Sequence, residues 1–90
     1  MPRYKMIVHG RVQGVGFRWT ALQAAHKHGL TGWVRNRADG AVELEVQGPA
    51  DAVSVFSAGL RNGNGYHFID HIEMREIPEV PNDPPFRVRY

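Results

Sequence analysis

Strict alternation of apolar and polar residues marks one stretch of this chain as a strand with a single buried face. In residues 42–47 apolar side chains take every second position: Val42, Leu44 and Val46 alternate with Glu43, Glu45 and Gln47. Successive side chains of a strand point to opposite faces, so the apolar side must cover a core. Ala38-Asp39-Gly40 lies just before it, and Asp-Gly favours a tight hairpin to a strand opened by Trp33-Val34.

The remaining segments complete an order of strand, helix, strand, strand, helix, strand, strand. The predicted helices are Thr20–His28 and one that starts near Gly48-Pro49-Ala50-Asp51 and buries Val53, Phe56 and Leu60. The other predicted strands are Tyr4–His9, Phe68–Ile77 and Phe86–Tyr90, with loops at Arg61–Gly65 and Pro78–Pro85. Two helices on one face of a mostly antiparallel sheet make an α+β sandwich, a ferredoxin-like βαββαβ plan with an extra C-terminal strand.

Length and composition narrow the class of protein. Ninety residues suit a single domain, which we expect to span residues 1–90. The chain has no cysteine, which excludes disulfides, zinc–thiolate sites and thiol nucleophiles. The apolar run Met6-Ile7-Val8 is too short for a signal segment, and nothing approaches the ~20 residues of a membrane span, so we expect a cytoplasmic protein without membrane contact.

The segment between the first strand and the first helix carries the clearest functional signal. It reads Gly10-Arg11-Val12-Gln13-Gly14-Val15-Gly16-Phe17-Arg18. Free amides at a helix start and the helix dipole favour an anion, two glycines allow the loop to curl, and an arginine can bond two phosphate oxygens. The spacing by itself fits an anion-binding loop or an ordinary tight turn with a solvated arginine.

Three better-known phosphate motifs do not fit this loop. A dinucleotide fingerprint would place its third glycine at Trp19, and a Walker loop needs Gly-Lys-Ser/Thr. A phosphate loop with a cysteine nucleophile would place that cysteine at Val12. A phosphocysteine intermediate is therefore excluded.

Two long motifs make the sequence resemble the acylphosphatase family. The first is the segment from Val8 to Arg18, and the second is Gly32-Trp33-Val34-Arg35-Asn36 followed by Gly40-Ala41-Val42 and Gly48. The terminal Phe86-Arg87-Val88-Arg89-Tyr90 is similar to the family's last strand, whereas the match is poorest from Arg61 to Pro85. The resemblance spans essentially the whole chain.

This resemblance implies hydrolysis of acyl phosphates to a carboxylate and inorganic phosphate by in-line attack of water, with no metal, cofactor or covalent enzyme intermediate. It implies that Arg18 binds the phosphate and that Asn36 positions the attacking water. It further implies a phosphate-binding loop formed by the backbone amides of these residues: Gln13, Gly14, Val15, Gly16, Phe17 and Arg18. We expect a monomer with small-molecule partners only, the acyl phosphate and inorganic phosphate.

Other polar and aromatic residues are interpreted as structural. Trp33 is expected in the core, and His9 on the surface beside the loop. His67 and His71 would lie ~13 Å apart on a strand, too far to share a metal ion. Asp39, Glu43 and Glu45 are interpreted as turn and solvent-face residues.

Two alternative functions are considered for this sequence. A nucleic-acid-binding module can share the βαββαβ order, but it would use aromatics and basic residues on the open sheet face. Here that face is expected to present Glu43, Glu45 and Gln47, which would repel a phosphate backbone, so no nucleic acid is expected. The second alternative is a domain of the same fold in a maturation protein that handles carbamoyl phosphate.

Overall fold

In residues 1–62 and 67–90, which the computed structural model describes, the chain forms five strands and two helices. Along the chain they are β1 (Arg3–Arg11), α1 (Phe17–Lys27), β2 (Thr31–Asn36), β3 (Val42–Gln47), α2 (Ala50–Arg61), β4 (Phe68–Ile77) and β5 (Arg87–Val88). The strands form one sheet in the order β4-β1-β3-β2-β5. The pairs β1–β3, β1–β4 and β2–β3 are antiparallel, and β2–β5 is parallel. The predicted α+β fold is confirmed. Neither helix is long and apolar enough to cross a membrane.

The helices cover one face of the sheet. Core side chains recur at every second position of the central strands and meet one apolar stripe from each helix: Met6, Val8, Val34, Val42, Leu44 and Val46 with Phe17, Ala21, Ala25, Val53, Phe56 and Leu60. We call the opposite side of the sheet the helix-free face. Its side chains come from the alternate positions of the same strands.

Several element boundaries differ from the predicted ones: β1 runs from Arg3 to Arg11, and β2 begins at Thr31, before Trp33. The first helix begins at Phe17, three residues before the predicted Thr20, because Gly16 in a left-handed conformation can start it without a side-chain cap. The last strand ends at Val88, and Tyr90 is fully exposed beyond it. Of the predicted loop Arg61–Gly65, Arg61 ends α2, Asn62 caps it, and residues 63–65 lie outside the described residues.

Trp33 and Glu43 lie in surroundings that differ from those predicted. Trp33 is buried, at 7% exposure, but on the helix-free face, where the guanidinium groups of Arg35 and Arg89 lie over its ring. Glu43 is buried instead of facing solvent, because Lys5 and Arg35 both pair with its carboxylate, at 2.8 and 2.7 Å. The acidic stripe expected to repel nucleic acid is therefore largely neutralised.

A buried arginine fastens the proline-rich connection to the sheet. The side chain of Arg3 is 2% exposed and donates to Glu45, Gln47 and Asp83, at 2.8, 3.1 and 2.9 Å. Asp83 also accepts from Arg87 of β5 at 3.2 Å. This network holds residues 78–85, which have no strand pairing except an isolated bridge at Pro85, against the sheet.

Candidate active site

The first helix begins with its positive end uncompensated. Gly14 and Gly16 have φ values of 74° and 78°, a left-handed conformation that glycine adopts at little cost, and they curl the loop into the helix. The N-cap residue of α1, Gly16, makes no side-chain hydrogen bond, and the first turn of α1 contains no acidic residue. The start of α2 differs, since it has Asp51 in the first turn. The free amides at the start of α1 are therefore available to an anion.

The side chain of Gln13 anchors this loop to the β2–β3 hairpin. Its amide nitrogen donates to the carbonyl oxygens of Arg37 and Ala41, at 2.7 and 2.9 Å. The hairpin itself is closed by a hydrogen bond from the Arg37 amide to the Ala41 carbonyl at 2.8 Å. The loop therefore has a fixed position relative to the end of β2, where Asn36 lies.

Arg18 is the second residue of α1, and its guanidinium carbon lies 5.2 Å from the centre of the Tyr90 ring. Within residues 1–62 and 67–90 it forms no ion pair, unlike Arg3, Arg35 and Arg87. A guanidinium without a carboxylate partner keeps its charge and its donors for a ligand.

Asn36 ends β2 on the same side of the sheet as Val34, which faces the helices. Its side-chain oxygen Oδ1 is buried and accepts no hydrogen bond from the described part of the chain. Buried polar atoms in proteins are nearly always hydrogen-bonded, so an unpaired acceptor at this position needs an explanation.

One cavity of about 230 Å³ brings these features together. Its lining comes from the loop, α1, β2 and the C-terminal segment: Val12, Gly14, Gly16, Phe17, Arg18, Trp19, Asn36, Val88 and Tyr90. The volume is below the roughly 300–1,000 Å³ of cavities for drug-sized ligands, which suits a small one. None of these lining residues has a carboxyl or imidazole group in its side chain.

Five of the seven predicted site residues line this cavity. Arg18, Asn36, Gly14, Gly16 and Phe17 line it. Two members of the predicted loop do not: the side chain of Gln13 turns to the hairpin, and Val15 packs against the core.

Four lining residues were missing from the predicted site: Val12, Trp19, Val88 and Tyr90. Trp19 is 64% exposed although it is large and apolar, and it follows Arg18 directly. An exposed tryptophan at a helix start could have served as a signal. The involvement of Tyr90 depends on the pairing of β5 with β2, which links residues far apart in the chain.

His67 and His9 have different surroundings in the structure. His67 lies before β4, packs edge-on against Phe17 at 4.9 Å and contacts the Leu60 carbonyl oxygen through Nε2 at 3.1 Å. His9 is indeed at the surface beside the loop, but β1 and β4 bring it together with His71 and Glu73. That cluster was not predicted, because its members come from strands paired across more than sixty residues.

Comparison with known proteins points to one family. The family model described as Acylphosphatase matches residues 4–88. Two acylphosphatases illustrate the likeness. That of Geobacillus thermodenitrificans is 44% identical over 92 residues, covering 100% of this chain and 96% of the relative. That of Bacillus licheniformis is 39% identical over 90 residues and both full lengths.

Solved structures give the same result. The crystal structure of acylphosphatase from Bacillus subtilis has a TM-score of 0.94 at 39% identity, with 100% of both chains covered. The crystal structure of T. kodakarensis HypF contains the same fold, with a TM-score of 0.87 at 35% identity, but the likeness covers 12% of that chain. This fold therefore also occurs as a small part of a larger protein.

Proposed function

Because this chain belongs to the acylphosphatase family and is a hydrolase acting on acyl phosphates, we propose that the acyl phosphate is hydrolysed in this cavity by in-line attack of water. We further propose that the reaction uses neither a metal ion nor a covalent enzyme intermediate. The observation that carries the proposal is that one cavity is lined by an uncapped helix start, by Arg18, which has no ion pair among the described residues, and by Asn36, whose side-chain oxygen has no partner there. Asn36 also lines a second cavity, with Arg35 and Arg37, but that cavity is lined by neither Arg18 nor the start of α1.

Arg18 and the loop amides bind the phosphoryl group. The helix start supplies N–H donors and the arginine supplies a planar, bidentate cation, so the negative charge on the equatorial oxygens is met by donors already in place. Little reorganisation is needed during the reaction. Removal of one preorganised donor of this kind from an active site costs about 2.7–4 kcal/mol.

Asn36 positions the water. The side-chain amide of Asn36, which lines the cavity, holds the water by a hydrogen bond and thereby aims a water lone pair at phosphorus. An amide is not a base at neutral pH, so Asn36 orients the nucleophile and does not deprotonate it.

The hydrolysis needs no base from the protein. The water oxygen forms a bond to phosphorus as the bond between phosphorus and the acyl oxygen breaks, and the carboxylate leaves with that electron pair. Because no lining side chain carries a carboxyl or imidazole group, a phosphoryl oxygen of the substrate takes the water proton. The products are a carboxylate and dihydrogen phosphate. The leaving group is a weak base, so it needs no acid.

The lining residues also bear on the absence of a covalent intermediate. Serine, threonine, cysteine and histidine are missing from the described lining, and the phenol of Tyr90 is the one hydroxyl group in it. Phenylalanine at this position would keep an aromatic ring over Arg18 and remove that hydroxyl. Tyr90→Phe should therefore retain turnover, whereas an inactive but folded variant would indicate a tyrosine nucleophile.

Four further expectations accompany this function. They are a single domain over residues 1–90, a monomer, a cytoplasmic location and no nucleic-acid partner. The last of these depends on the helix-free face, where basic and acidic side chains alternate and pair and where Trp33 is covered by arginines. Among the described residues, such a face offers no uniformly basic surface for a nucleic-acid backbone.

The direct test is an assay of the purified chain with acetyl phosphate, with and without excess chelator. We expect release of inorganic phosphate at the same rate in both conditions, slower hydrolysis of a phosphate monoester, and competitive inhibition by inorganic phosphate. Activity that disappears with chelator and returns with added metal would refute the metal-free mechanism.

A further inference from the structure

Two histidines and a glutamate converge on the helix-free face, apart from the cavity described above. His9 of β1 lies directly opposite His71 of β4 in the antiparallel register. Glu73 lies opposite Ile7, two residues along β4, so it shares the face of His71 and is diagonal to His9. Strand pairing alone therefore places all three side chains on one small area of the surface.

The donor atoms of this His9–His71–Glu73 cluster lie close enough to share one ion. One ligand atom from each residue lies within 4.8 Å of the others. His9 Nε2 and a Glu73 carboxylate oxygen are 2.6 Å apart, and the two imidazole rings are 4.7 Å apart between centres with 33° between their planes. His71 and Glu73 are exposed and His9 is about one-third exposed, so an ion can reach them from solvent.

A simple ion pair explains only part of this arrangement. His9 and Glu73 satisfy each other, but the second imidazole, tilted beside the first, makes no hydrogen bond to either of them. Two imidazolium cations at this distance would repel each other, whereas two neutral imidazoles and a carboxylate form a coherent set of donors. Two imidazoles and a carboxylate are a ligand set that Zn²⁺ uses in proteins, with water as the fourth ligand.

We propose that His9, His71 and Glu73 form a Zn²⁺-binding site on the helix-free face. Zn²⁺ has no geometric preference of its own from d electrons and adapts to donors whose positions are set by the strands. Mg²⁺ and Ca²⁺ prefer oxygen donors and should bind poorly. The site joins β1 to β4 beside the register shift between His9 and Gly10, two residues before β1 ends at Arg11 and leads into the phosphate-binding loop. It acts as a clamp between these strands and takes no part in the reaction of the acyl phosphate.

Binding to the full chain tests the proposal directly. Isothermal titration of the metal-free protein with Zn²⁺ should show one equivalent bound, and Zn²⁺ should raise the melting temperature, while Mg²⁺ should do neither. Each ligand variant, His71→Gln and Glu73→Gln, should bind Zn²⁺ at least tenfold more weakly and lose most of the thermal shift. His28→Gln is the matched control, because it removes an imidazole from the C-cap of α1 on the other side of the sheet.

The outcomes that overturn the proposal are separate from those that test the hydrolase. Absence of stoichiometric Zn²⁺ binding would overturn it. So would unchanged Zn²⁺ affinity in His71→Gln, because the ion would then be bound elsewhere. Hydrolysis of acetyl phosphate by both variants in chelator should equal that of the parent, which shows that they fold and that the cavity is intact. A Co²⁺ titration adds a spectroscopic readout, since ligand-field absorption should appear in the parent and weaken in both variants.

Discussion

Arg18 and Asn36 enter the same cavity from different elements, and each has an unfulfilled bonding capacity. The guanidinium has no carboxylate partner in the described residues, and the amide oxygen has no donor there. In a folded protein such groups are costly unless a ligand completes them. The two residues differ in charge, so their loss should affect binding and turnover differently.

Arg18→Lys tests the phosphate-binding role. Lysine keeps the positive charge but loses the bidentate fork, so affinity for inorganic phosphate should fall by about tenfold or more at unchanged melting temperature. Competitive inhibition by phosphate measures this affinity. Arg61→Lys at the exposed end of α2 is the control and should behave as the parent. Near-parental phosphate affinity in folded Arg18→Lys would locate the anion elsewhere.

Asn36→Ala tests the positioning of water. Because the hydrogen bond to water matters mainly in the transition state, kcat should fall by roughly 10²-fold or more while phosphate affinity changes little. Stability should hardly decrease, since the lost oxygen has no partner in the described chain. Turnover, phosphate affinity and melting temperature are measured on one preparation.

The control for this variant is Asn82→Ala. Asn82 has a φ of 57° in an exposed turn, where asparagine is tolerated better than alanine. Its replacement should lower the melting temperature and leave kcat unchanged. If Asn36→Ala behaved in this way, Asn36 would be a structural residue.

At the scale of elements, local sequence patterns predicted a strand or a buried helix face correctly where apolar residues recur with a regular period. The bounds of β3 and β4 match the predicted ones, and the buried stripe of α2 consists of the predicted residues. The start of α1 was wrong, because the usual polar cap is replaced by a backbone conformation of Gly16, which leaves no side-chain signal. Burial of Glu43 depends on partners from two other strands and could not be read from alternation.

Gly16→Ala tests whether the loop conformation is required. A built Cβ meets nothing within 4 Å, so the expected cost is conformational, about 1–2 kcal/mol for an alanine at a φ of 78°. The variant should lose stability and bind phosphate more weakly, because the amides at the helix start are displaced. Chemical denaturation and phosphate inhibition measure the two effects.

Gly59→Ala provides the opposite control. Gly59 lies inside α2 with open space around it and no positive φ. Alanine there should stabilise the protein by about 0.5–1 kcal/mol and leave catalysis unchanged. Equal effects of the two substitutions would contradict a special conformation at Gly16.

At the scale of the whole molecule, ion pairs of arginine and lysine on the helix-free face join β1, β2, β3, β5 and the proline-rich connection. Burial raises the pKa of the Glu43 carboxyl, but hydrogen bonds from Lys5 and Arg35 outweigh it and leave the pKa below its usual 4.5. Asp83 behaves similarly: burial opposes ionisation, yet Arg3 and Arg87 hold its pKa below 3.8. Both carboxylates therefore favour the folded state in their charged form.

This linkage predicts acid sensitivity. A carboxyl whose pKa is lower in the folded than in the unfolded state stabilises the protein fully above the unfolded value. That stabilisation is lost as pH falls through the folded value. The free energy of unfolding should therefore be level above about pH 4.5 and decrease steadily below it. Urea denaturation at several pH values between 7 and 2.5 measures the profile.

The variant Glu43→Gln should flatten this profile. It should be less stable than the parent at pH 7, by about 1–3 kcal/mol for lost hydrogen bonds to charged partners, and should lose less stability on acidification. Glu76→Gln, at an exposed position of β4, should leave both quantities unchanged. A parent and a Glu43→Gln variant with the same slope would show that Glu43 does not contribute.

The walls of the cavity come from the two ends of the chain. Val12, Gly14 and Arg18 belong to its first fifth, whereas Val88 and Tyr90 are the last described residues to join the lining. During synthesis the anion-binding loop therefore emerges long before β5 can pair with β2 and close the cavity beside it. Nascent chains should acquire the complete cavity only after Tyr90 has left the ribosome. Any polypeptide fused after Tyr90 would begin at the mouth of the cavity, whereas one fused before Met1 would begin near Glu79, to which the N-terminal amine is bound at 3.2 Å.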